Sequence, residues 1–194
     1  MLTPPKITRS ITPILNGAFD LVSLNRDQHK SERLVSKANH IAILPFDCSP
    51  DGKIRSIYGL KFNNQAIDQP GVTLVTDQLD QARDKTSYDA VCRAMLEEAG
   101  LNLEELGITE NEIFYLGNIT TAVPVTSKFK CFAVDLTKLT GPKSKLEFTR
   151  NLSKSDFEKD SSEIIKLGFT QVVNGDFSDS MVLSGAFLLV SYFN

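Results

Sequence analysis

Residues 93–101 read RAMLEEAGL and close the best-defined local element of the chain. Upstream, Thr86 can cap a helix, and Asp89, three residues on, can complete a capping box. The helix is predicted to run to Ala99 and to stop at Gly100, the residue type that best tolerates a left-handed helix end. At ~100° per residue, Tyr88, Val91, Cys92, Met95, Leu96 and Ala99 fill one arc, predicted to be buried. Asp89, Ala90, Arg93, Ala94, Glu97 and Glu98 fill the other, predicted to be polar. Arg93 and Glu97 stand four apart, and positions 94, 97 and 98 share a face. Carboxylates gathered on a rigid helix suit a hard divalent cation, which completes its shell with phosphate oxygens. Such a cation neutralises the charge that develops in phosphoryl or nucleotidyl chemistry. The same residues also read as a surface ion pair worth a few tenths of a kcal/mol at a polar helix end.

Around the helix lie strand signals. Residues 41–46 (IAILPF) and 54–62 (IRSIYGLKF), separated by Ser49-Pro50-Asp51-Gly52, predict a hairpin. Residues 72–75, 113–116 and 130–136 predict further strands, and 164–173 a last strand before Asn174-Gly175. Residues 138–160 are polar and predict a long loop. Residues 181–193 (MVLSGAFLLVSYF) are apolar nearly all round, which predicts a buried helix too short to span a membrane. Residues 11–24 predict one or two strands broken at Asn16-Gly17, and 31–39 a turn of helix or a polar loop. We therefore expect an N-terminal extension over 1–39 and one domain over 40–194. Strands alternating with helices predict an α/β class with a mixed sheet.

Composition narrows the function classes. The chain has 194 residues, 41% of them hydrophobic, and a net charge of −3. An acidic balance argues against a general nucleic-acid binder, which works by neutralising phosphates. Cys48, Cys92 and Cys131 form no CxxC pair, which fits a reducing cytoplasm and no zinc site. Only His29 and His40 are present, and Ser180 and Ser184 have no evident histidine partner, so a serine hydrolase has little material.

RAMLEEAGL resembles the C-terminal half of the Nudix box, G-x5-E-x7-R-E-U-x-E-E-x-G-U, where U is a bulky aliphatic. Arg93, Met95, Glu97, Glu98, Gly100 and Leu101 match it. The hairpin with Ala42-Ile43-Leu44-Pro45 and the apolar C-terminal helix resemble the ADP-ribose and ADP-sugar pyrophosphatase branch. The likeness spans residues 40–194. It implies a Nudix-type α/β/α sandwich. Departures are specific. The glutamate expected after Arg93 is Ala94. The first box glutamate falls on Lys85 and the first box glycine on Leu79. A one-residue shift offers Asp84 for that glutamate and Asp77 to Asp80 for the preceding turn.

The resemblance implies hydrolysis of a nucleoside diphosphate linked to another group, with Mg²⁺ or Mn²⁺ as cofactor. In that reading Glu97 and Glu98 hold the metal, and Arg93 orients them. Glu163 is the candidate base, ahead of Glu147 and Glu158. Tyr58 and Lys61 face the nucleotide. Losing Ala94's counterpart carboxylate removes a direct ligand, a larger loss than the ~10–100-fold common for an outer-shell partner. The alternative is an inactive module of the same fold that binds a nucleotide or serves an assembly. The branch also implies a homodimer or larger assembly through the N-terminal extension.

Overall fold

Strand β4 (His40–Cys48) organises the molecule, because residues 41–47 are all buried. The structure, a computed structural model, describes residues 7–14, 18–26, 29–64, 69–121, 125–140, 164–174 and 179–193. Before β4 come β1 (Ile7–Ile14), β2 (Phe19–Arg26) and β3 (His29–Ser36). After it come β5 (Ile54–Asn64), β6 (Gln69–Thr73), β7 (Val75–Gln78) and helix α1 (Ser87–Ala99). Then follow β8 (Ile113–Thr121), β9 (Val125–Asp135), β10 (Ile164–Gly168), α2 (Phe169–Val173) and α3 (Ser180–Phe193).

The strands form a mixed sheet in the order β1-β2-β3-β9-β4-β5-β10, with β6 on β5, β7 on β4 and β8 on β9. β4 and β9 run parallel, while β4 is antiparallel to both β5 and β7. One edge of β4 is shared: residues 40–43 pair with β7, and Phe46 to Cys48 pair with β5. The sequence predicts a single strand over 72–75. The structure breaks it at Leu74, and this break lets the chain leave β5 (through β6) and join β4 (through β7).

Strand alternation splits the core into two layers. Ile41, Ile43, Phe132 and Val134 pack with α1, together with Leu103 and Ile108. Ala42, Leu44, Phe46, Cys131 and Ala133 pack with α2 and α3, through Val172, Val182, Ala186 and Leu189. A sheet covered on both faces reads as a continuous apolar run, as residues 41–46 do. Each fully buried large side chain here contributes about 1.5–3 kcal/mol. The architecture is the α/β/α sandwich expected.

Three expectations are corrected. Residues 29–36 form a strand, not a helical turn or loop, because β3 pairs along its whole length with β2 and, at Leu34 and Val35, with β9. The chain after β10 enters the short helix α2 rather than continuing as strand to Val173. Helix α3 is buried on one side only: Phe187 is 72% exposed, and Leu183, Tyr192 and Phe193 are also exposed. Among the described residues no helix is long and apolar enough to cross a membrane.

Candidate functional site

The start of α1 forms as its sequence predicts. Thr86 Oγ1 accepts from the Asp89 N–H at 3.1 Å, and Asp89 Oδ2 accepts from the Thr86 N–H at 2.9 Å. Asp89 is thus a cap. At the other end Gly100 has φ +66°, and its N–H donates to the Leu96 carbonyl.

The buried face of α1 differs from the predicted one. Ala90, Val91, Ala94, Met95 and Ala99 are buried, while Leu96 is 48% exposed. The helix meets the sheet through its alanines, whose small side chains allow close approach. Ala94 lies between Glu97 and Glu98 on the helical wheel, so the site's centre is a methyl group inside the apolar layer with Ile41, Ile43 and Val134.

Arg93 is the hub of the neighbouring polar cluster. Its Nε and one terminal nitrogen donate to the two oxygens of Asp84 at 2.9 and 2.8 Å. The same terminal nitrogen reaches the Gln78 carbonyl at 2.9 Å. The other donates to Asp77 and, at 3.0 Å, to Glu97. The guanidinium side chain is 12% exposed and Asp84 only 4%. These contacts hold Asp84 below its ordinary value and push Arg93 up. Of the two residues offered for the first box glutamate, Asp84 is the one that meets Arg93. Lys85 is exposed, with its backbone N–H on Asp89.

Glu97 and Glu98 occupy different surroundings. Glu97 accepts from Arg83 at 2.7 Å and Arg93 at 3.0 Å. Partial burial works to raise its pKa, but the two arginines prevail and hold it low. Glu98 is half-buried, and burial, then Asp77 and Glu97, raise its pKa against the pull of Arg93. Among the described residues no three histidine, cysteine or carboxylate side chains gather as a metal site. Among the described residues, Glu97 carries two arginines, Asp77 holds Arg93, and position 94 offers no oxygen.

Tyr58 and Lys61, three apart on β5, lie on opposite sheet faces. Tyr58 is almost wholly buried and donates to Asp47 Oδ2 at 2.7 Å; Lys61 is exposed. Asp47, fully buried, also takes Arg55 at 2.6 Å and Lys166 at 3.2 Å. Burial would raise the Asp47 carboxyl, but these donors hold it far below the ordinary range, while burial and Asp47 push the Tyr58 hydroxyl up. The crevice between β5 and the end of α1, lined by Pro45, Tyr58, Met95, Ala99 and Leu101, is too narrow to admit water. Glu163, Glu147 and Glu158 lie outside the described residues. Sequence reasoning missed Arg83 and the Asp47–Arg55–Lys166 group, since both join distant segments and leave no spacing to read.

No family model matches the sequence, and no curated protein matches it. Solved structures do. A protein described as an ADP compounds hydrolase superposes with a TM-score of 0.55 at 13% identity, covering 100% of this chain and 96% of that one. The NUDIX domain of Shewanella oneidensis NrtR, complexed with ADP ribose, gives 0.53 at 10% identity, covering 82% and 90%. A chain of the complex between the C-terminal domain of mouse MUTYH and human PCNA gives 0.50 at 6%, covering 81% and 90%. The chain has the Nudix fold.

Proposed function

We propose that this chain is a Nudix-fold module that binds a nucleotide-like small molecule and has little or no metal-dependent pyrophosphate hydrolysis at α1. The carrying observation is the double arginine clamp on Glu97, at 2.7 and 3.0 Å. A cation entering there would have to displace two guanidinium groups from the carboxylate and would bring its own charge beside them. Ala94, buried in the apolar layer, supplies no oxygen to offset that repulsion. The likeness to a NUDIX domain complexed with ADP ribose supports the binding half of the reading. Residues 40–194 form the module in this reading. Residues 1–39 form an extension available for contact with a second copy or a larger assembly.

A weakened hydrolase is the second reading, favoured by the half-buried Glu98, whose neighbours Asp77 and Glu97 both disfavour its charge. Crowded carboxylates are what a cation relieves, and Glu163 would then be the base. The test is turnover of ADP-ribose, ADP-sugars, dinucleotides and nucleoside triphosphates with Mg²⁺, Mn²⁺ or chelator. Wild type should match Glu97→Gln and Glu98→Gln. Metal-dependent turnover that disappears in Glu98→Gln overturns the proposal, and its loss in Glu163→Gln would identify the base.

A further inference from the structure

Helix α1 has a second flank, facing β8 and β9 rather than β7. A cavity of about 560 Å³ opens there, lined by Ser87, Glu110, Ile113, Tyr115, Lys130 and Phe132, among others. This lies within the ~300–1,000 Å³ of small-molecule sites. Its wall is aromatic. Tyr115 is 49% exposed, and its ring sits 5.4 Å from that of Phe132, tilted by 51°.

A break in the sheet register sets this geometry. The β8–β9 pairing shifts between Tyr115 and Gly117, so Leu116 is an extra residue. Gly117 takes φ +130°, which a side chain would resist. Beyond the bulge both Leu116 and Gly117 lie toward α3, near Leu188. Tyr115 is thereby the last β8 side chain on the α1 face before the ladder is reset. Bulges of this kind re-aim side chains beside functional sites. Two residues before Phe132 on the same face of β9 stands Lys130, exposed and without an ion pair among the described residues. Ser87 offers a hydroxyl on one rim, and Glu110 a carboxylate on another.

We propose that this cavity between α1, β8 and β9 binds a nucleoside monophosphate, with its base on Tyr115 and its phosphate on Lys130. An exposed ring backed by a second ring is a stacking platform for a planar heterocycle. One ammonium matches one phosphate, with Ser87 as a further donor. Among the described residues that line the cavity there is no second cation, and a second phosphate would approach Glu110. Glu110 instead suits hydrogen-bond donors, such as sugar hydroxyls or a base amine. The proposal rests on the nucleotide-binding reading above, but locates it away from the Arg93 cluster.

The test is calorimetric titration of the full chain, in chelator, with AMP, adenosine, ADP-ribose and inorganic phosphate. AMP should bind best. Tyr115→Ala should weaken it about 5- to 150-fold, the range of one base–aromatic stack, and Tyr115→Phe should restore it. Lys130→Gln should weaken AMP about tenfold and leave adenosine unchanged. AMP affinity equal in wild type, Tyr115→Ala and Lys130→Gln would overturn the site. Nucleotide binding lost in Glu98→Gln but kept in Tyr115→Ala would overturn the location alone. No binding of any nucleotide at millimolar concentration would overturn both the site and the binding function. Metal-dependent turnover together with Tyr115-dependent AMP binding would overturn only the inactive reading.

Discussion

The two flanks of α1 are built from similar residue types and differ in how those residues are matched. On the β7 flank, Arg93 meets Asp77, Asp84 and Glu97, and Arg83 adds a second cation to Glu97. Apart from Glu98, the charged groups there are matched within the chain. On the β8–β9 flank, Lys130 and Glu110 line one cavity with an exposed tyrosine between them. A matched polar cluster has little interaction left for a ligand, whereas an unmatched one beside an apolar wall retains it. In the proposed reading, the helix segment with the most sequence resemblance to a catalytic motif is the more structural of the two.

Four experiments would break or sharpen that contrast, from the largest expected effect down. Arg93→Ala leaves a nearly buried Asp84 without its cation and should cost about 3–5 kcal/mol in urea unfolding. The same variant should flatten the acid limb of stability. Asp84 and Glu97 are held below their ordinary range, so the unfolded chain takes up their protons first as pH falls. Their contribution is complete above the unfolded carboxylate range of roughly 4 and is lost as pH drops through the lower folded values. An unchanged acid limb would mean the cluster is not structural.

Ala94→Glu reinstates the box carboxylate at a buried position. It should destabilise by about 2 kcal/mol or more, because a charge enters the apolar layer. Thermal melts with and without Mg²⁺ check it. Recovery of stability by Mg²⁺ would show that the β7 flank still accepts a cation.

Glu98→Gln acts the opposite way. The folded chain holds a proton on Glu98 more readily than the unfolded chain. Its charge therefore weakens the fold increasingly as pH rises from about 4 through the raised folded value. The variant should be more stable than wild type at pH 7, by no more than about 1 kcal/mol. That gain should vanish near pH 4. A loss of stability at pH 7 would indicate an attractive partner for this carboxylate.

Tyr115→Ala and Lys130→Gln should each shift stability by only about 0.5 kcal/mol, as surface changes do. A shift above ~2 kcal/mol would make the β8–β9 flank structural too and erase the contrast.

Much of α1 was legible beforehand. Thr86, Asp89 and Gly100 set the helix ends through bonds to residues within a few positions, and local chemistry of that kind is written in spacing. The run at 41–46 likewise foretold a strand, while its burial on both faces comes from the fold. The phase of the helix was less legible. Alanine counts weakly in a periodicity argument, so Ala90 and Ala94 read as polar-side residues although the sheet buries them. Strand β3 was missed because SERLVS has a polar sequence, and its identity comes from pairing with β2 and β9. In the site, Arg93 and its i,i+4 partner Glu97 could be read, and Asp84 only as one of two registers. Only the folded loop shows that Asp84 meets Arg93.

The sequence by itself determined where α1 begins and ends, which strands are apolar on both faces, and that position 94 carries no carboxylate. These depend on residue type and on neighbours a few positions away. Only the tertiary structure decided that Glu97 is clamped by two arginines, that Tyr58 is turned onto Asp47, and that Tyr115 and Lys130 share a cavity. Each of those joins side chains from different elements, and charge matching or burial at such distances is set by how the sheet and helices pack, not by the order of residues along the chain.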